Sequence, residues 1–74
     1  MKNWVLVDAR WLEPPVPMER VFAALDDLQP GQRIRFLIHR EPLPIYGALH
    51  HMGYRHKTHM LEDGCYEVHI EPCE

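Results

Sequence analysis

Asp8-Ala9-Arg10-Trp11-Leu12-Glu13-Pro14-Pro15-Val16-Pro17 is the stretch that decides the fold. Before it, Trp4 to Asp8 is a short β-rich apolar run, read as a first strand. Within it, three prolines force an extended approach to a helix, because each disfavours helical geometry in the residue before it. Pro17 itself suits a first helical turn, where a missing N–H is no loss. From there Met18, Val21, Phe22, Leu25 and Leu28 recur at helical spacing, with Glu19, Arg20, Asp26 and Asp27 opposite, until Pro30-Gly31 breaks the pattern.

The remaining elements follow from the same signals. Arg33 to His39 alternates as a second strand, with Ile34, Phe36 and Ile38 on one face and Arg35, Leu37 and His39 on the other. Pro42 and Pro44 repeat the proline approach. A shorter helix runs through Ile45, Tyr46, Leu49 and Met52 and closes at Gly53. Tyr54 to Leu61 and Cys65 to Ile70 form two further strands joined by a tight turn over Glu62-Asp63-Gly64. The predicted order is βαβαββ. The expected architecture is an α+β two-layer sandwich, one four-stranded mixed sheet with both helices on a single face and the other face open.

Seventy-four residues make a single domain, 1–74, with a small core. A net charge of −3 argues against a dedicated nucleic-acid binder, and no apolar run approaches the roughly 20 residues that span a bilayer. An acidic residue at Asp8 comes too early for a signal peptide, so the expected compartment is the cytoplasm. Cys65 and Cys73 match no zinc spacing and are expected to be reduced thiols. Six histidines make the chain's charge sensitive to pH near ~6.5.

The element order and the run from Asp8 to Pro17 resemble the TusA/SirA-like sulfur-carrier fold. That family is marked by an Asp-Ala-Arg-Gly-Leu opening and a Cys-Pro-x-Pro motif at the start of the first helix. The motif's prolines match Pro15 and Pro17, its cysteine falls on Pro14, and the family glycine falls on Trp11. A second resemblance covers nearly the whole chain. Leu28 to Gly31 and the segment His39-Arg40-Glu41-Pro42-Leu43-Pro44-Ile45-Tyr46 are similar to a bacterial family of uncharacterised proteins, the domain of unknown function numbered twenty-two forty-nine. It implies the same fold and no settled activity. A thiol at a helix N-terminus is activated by the helix dipole, and proline has no heteroatom to serve in its place. Sulfur transfer at position 14 is excluded.

Function is then expected where parallel strands end, an edge that gathers Asp8, Arg10, Trp11 and Glu13 with His39, Arg40 and Glu41. An Asp8–His39 pair there would favour a protonated imidazole, against a purely structural role capping the loops. Trp11 either covers the small core or anchors a partner. With the turn at Glu62 to Gly64, residue 59 faces 67 and residue 57 faces 69. His59, Glu67 and His69 then group on the open sheet face as candidate ligands for a transition metal such as zinc or copper. Exposed cross-strand His–Glu pairs are also ordinary sheet-surface chemistry. His50 and His51 fit the negative end of the second helix, and His56 is expected on the inner face with Tyr54 and Thr58. The leading expectation is a noncatalytic binding module for a protein partner or small ligand, with homodimerisation left open by the bare sheet face. The alternatives are a metal or haem accessory protein using surface histidines, and a sulfur handler using Cys65 or Cys73.

Overall fold

The computed structural model describes residues 3–73. Strand β1 (Asn3–Asp8) leads to helix α1 (Val16–Asp26), strand β2 (Gln32–Ile38), helix α2 (Leu43–His51), and strands β3 (Tyr54–Met60) and β4 (Tyr66–Pro72). The sheet order is β1-β2-β4-β3. β1 and β2 are parallel, and β4 runs antiparallel to both β2 and β3. The expected mixed sheet and element order are both present.

Alternation along β2 separates the two layers. Ile34, Phe36 and Ile38 point to the core, where they meet Val7 of β1, Val68 and Ile70 of β4, Val21 and Leu25 of α1, and Ile45 and Leu49 of α2. Both helices therefore cover one face of the sheet. Each fully buried aliphatic or aromatic side chain of this set contributes about 1.5–3 kcal/mol through removal of apolar surface from water. Pro17, Val21 and Leu25 form the buried stripe of α1 at four-residue spacing.

Differences from the sequence reading lie at element ends. Leu28 stands beyond α1, yet it packs on the core because its N–H bonds to the Leu25 carbonyl in a tighter final turn. His39 and Cys65 lie just outside β2 and β4, while β4 continues past Ile70 to Pro72. Leu37, on the nominally open face, is buried, as is the neighbouring Cys65. Gly53 follows α2 with φ of 88°, a left-handed geometry that glycine adopts without steric cost, and its carbonyl accepts the Cys73 N–H at 2.8 Å.

The segment His39 to Tyr46 has a structural reason in Tyr46. Its ring stacks on His56 of β3 with centroids 4.0 Å apart, and its hydroxyl lies 2.6 Å from Thr58 Oγ1 and 3.2 Å from Glu41 Oε2. The phenol O–H donates to the carboxylate, so the Thr58 hydroxyl donates to the phenol. Burial first, and the Glu41 carboxylate beside it, push the Tyr46 phenol upward. His56 is half-buried on the inner face, as expected.

On the open face Glu67 accepts from Arg35 Nη2 at 2.9 Å and pairs with His69 Nε2. The Arg35 guanidinium, outweighing partial burial, holds the Glu67 carboxyl below its usual value. A carboxyl lowered on folding adds stability that is complete above its unfolded value of about 4.3 and is lost as pH falls through the folded value. Glu67→Gln is therefore expected to be less stable than the wild type near neutral pH, with the difference closing in acid. Thermal unfolding followed by circular dichroism across that range checks it; a gap that persists unchanged in acid refutes the assignment.

Candidate functional site

The loop between β1 and α1 is shaped by its own backbone and by His39. Asp8 is gripped by Arg10, whose Nε and Nη2 reach Oδ1 and Oδ2 at 3.0 and 2.9 Å, while the Arg10 backbone N–H adds a 3.2 Å contact. The Arg10 side chain is the main reason the Asp8 carboxyl lies below its usual range. Trp11 then turns into the left-handed region at φ 66°. Its N–H donates to His39 Nδ1 at 2.9 Å, and its indole stacks on the imidazole with centroids 5.0 Å apart. An Nδ1 that accepts an N–H carries no proton, so in the neutral ring the hydrogen sits on Nε2.

The Asp8 and His39 side chains do not pair; each accepts a backbone N–H of the β1–α1 loop, the capping role weighed against that pair in the sequence. Asp8 is satisfied within its own turn, and His39 is held by the Trp11 backbone instead. The reason is local: Arg10 closes a short ring with Asp8, two residues away, before His39 can compete. The seven expected edge residues accordingly divide. Trp11, Glu13, His39, Arg40 and Glu41 line a cleft of about 470 Å³, while Asp8 and Arg10 do not.

The cleft floor is apolar. Met18 and Ile38 lie between Pro14 and Pro17 on the α1 side and Pro42 and Pro44 on the α2 side. Both helices begin at this edge, yet Pro15 and Pro42 occupy the N-cap positions and neither makes a side-chain capping bond. Prolines at the start of each helix remove N–H donors that would otherwise recruit an anion. The cleft thus favours apolar matter with a polar rim. Sequence reasoning identified the rim; it missed Met18, Pro42 and Pro44 as lining, although the matched proline clusters were the signal. The Pro14–Pro15 bond is cis.

The expected metal group fares differently. The register is as predicted, with His59 opposite Glu67 and Lys57 opposite His69, and the two imidazoles lie 5.2 Å apart. Among the described residues, however, no three His, Cys, Asp or Glu side chains are placed to hold a metal ion. Glu67, its side chain only 13% exposed, is taken by Arg35 and His69. His69 also faces Trp4 at 4.9 Å. Competing ion pairing and aromatic contact disperse the ligand set that register alone assembled.

The cysteines are equally divided. Cys65 is fully buried, and burial, reinforced by the nearby Asp63 carboxylate, pushes its thiol up; Cys73 is exposed. A thiol raised in this way is a poor nucleophile. Among the described residues, no helix is long and apolar enough to cross a membrane.

A βαβαββ sandwich whose first helix opens on prolines, with no cysteine there, defines the class: a small α+β domain with a SirA-like fold. Its fold is similar to that of a SirA-like protein from Desulfitobacterium hafniense known from a crystal structure, with a TM-score of 0.80. The two are 24% identical, and the match covers 93% of this chain and 97% of the other. No curated protein matches the chain. The chain belongs to the family described as "Uncharacterized conserved protein (DUF2249)", whose sequence model matches residues 6–72.

Two outcomes test the local geometry. A left-handed φ costs a side-chain-bearing residue about 1–2 kcal/mol, against about 0.5–1 kcal/mol of extra backbone entropy for glycine. Trp11→Gly is therefore expected to leave stability within about 1 kcal/mol of wild type, whereas Trp11→Val loses more, as read by urea unfolding. Equal losses for both would contradict the account. In the native protein Cys73 is expected to react rapidly with a thiol reagent and Cys65 only upon unfolding. Rapid native modification of Cys65, mapped by mass spectrometry, would show the burial to be misassigned.

Proposed function

We propose that this domain is a noncatalytic binding module, and that a protein partner seats an apolar segment in the cleft between Trp11 and the start of α2. The observation that carries the reading is Trp11 itself. The residue is 73% exposed, yet its backbone and ring are held in place by His39. An exposed tryptophan that is already ordered loses little freedom on binding, the property of an anchor residue. The alternative of covering the core does not suit so exposed a ring.

Neighbouring features favour a protein over an enclosed small ligand. Trp11 stands proud of the cleft, and Leu43, at the start of α2, is a second exposed apolar side chain on the same edge. Glu13, Arg40 and Glu41 supply both charge signs around the rim, an arrangement that sets orientation and suppresses wrong partners. With Pro14 in place of a thiol and Cys65 buried, covalent carriage has no support at this edge.

Affinity purification from the native host, with quantitative mass spectrometry, tests the reading. Wild type and Met60→Ala, altered at an exposed residue of β3, are expected to retain the same partner at matching yield. Trp11→Ala and His39→Ala should each lower that yield about tenfold, as loss of an anchor worth ~1.4 kcal/mol or more implies. A partner retained equally by all four proteins would reject the site.

A further inference from the structure

The open face of the sheet carries chemistry that the Trp11 cleft does not use. Arg33, Arg35, Arg55 and Lys57 all project from it, half of the chain's eight lysines and arginines, although the chain has a net charge of −3. The alternation of three strands thus segregates positive charge onto one surface. There, Trp4, Arg33, Arg55, Lys57, His69 and Glu71 line a second cleft, of about 440 Å³. That volume lies within the range of small-molecule sites.

The arginines in it are arranged around a carboxylate. Glu71 Oε1 accepts the Arg55 Nε–H, and its Oε2 lies in an ion pair with Arg33 Nε, each at 2.9 Å. One carboxylate therefore orients two guanidiniums from different strands. The Nη groups of both carry no hydrogen bond among the described residues. Trp4, 42% exposed, supports the Arg33 guanidinium, whose carbon lies 5.7 Å from the ring centroid, and His69 packs on the same indole. His69 is itself oriented by Glu67. Three fixed cations face one carboxylate, leaving an excess of two positive charges in the cleft.

We propose that this cleft binds a compact dianion, a phosphate monoester or a short dicarboxylate, between the Nη groups of Arg33 and Arg55 and the Lys57 ammonium. A phosphate monoester carries close to two negative charges at neutral pH and matches the planar fork of a guanidinium. Glu71 acts as the positioning residue: it holds both forks in register and lowers the mutual repulsion of two cations. The opposite edge, with prolines at both helix starts, lacks this chemistry, so the two clefts differ in ligand class.

Heteronuclear NMR of the isotopically labelled protein at low salt tests the proposal, with inorganic phosphate, phenyl phosphate and succinate as probes. Expected are saturable shifts of the Trp4 indole N–H and the Arg33 and Arg55 Nε–H signals, with dissociation constants in the millimolar range or tighter. Arg33→Gln and Arg55→Gln should each weaken binding about tenfold, the loss of one charge-assisted contact. Preference for the two phosphates assigns the monoester class, and preference for succinate the dicarboxylate class. Glu71→Gln separates an organised site from a charged surface, because it adds positive charge while releasing both forks. Weaker binding by that variant supports the proposal; tighter binding overturns it. Absence of saturation with every probe overturns it too, as does saturation by a single-stranded oligonucleotide alone. The same spectra report whether each variant is folded.

Discussion

The period-two alternation of β2 is the constraint on which both layers depend. Its inward residues, Ile34, Phe36 and Ile38, touch the cores built by α1 and α2, while outward Arg33 and Arg35 engage Glu71 and Glu67 of β4. A one-residue slip would exchange these rows, burying guanidiniums under the helices and exposing Phe36 to water. Hydrophobic burial and surface ion pairing therefore select the same register. Because β2 lies between β1 and β4, that register also fixes where the loops after β1 and β2 meet.

Those loops meet through backbone geometry more than through charge. Ala9 donates its N–H to the Leu37 carbonyl, extending the parallel ladder one step past β1, and Trp11 then turns back toward His39. The tryptophan occupies a conformation that ordinarily favours glycine. This edge therefore presents a bulky exposed ring beside an apolar cleft, with prolines and no cysteine at the start of α1.

Much of this was legible in the sequence, for identifiable reasons. The alternation of residues 34 to 38 and the helical spacing of Val21 and Leu25 are strong periodic signals, and the turn at Gly64 fixed the β3–β4 register correctly. Element ends were less legible, because Leu28 keeps its inward position through a turn rather than through the helix. The site was read only by neighbourhood. Sequence order brought Asp8 and His39 to one edge, but could not show that Arg10 reaches Asp8 first. Likewise register grouped His59, Glu67 and His69, while Arg35, 32 positions from Glu67, decided the fate of that carboxylate. Competition among partners distant in sequence is what a linear pattern does not encode.

The two tryptophans carry a practical consequence of this layout. Trp4 stands in the cationic cleft and Trp11 at the apolar one, and each has a histidine ring within about 5 Å. Indole emission responds to solvent exposure and is quenched by a protonated imidazole nearby. Each cleft thus contains its own optical reporter, and replacing either indole with phenylalanine leaves the other as a single-site fluorophore. Light emitted by one protein can distinguish which of its two faces has been occupied.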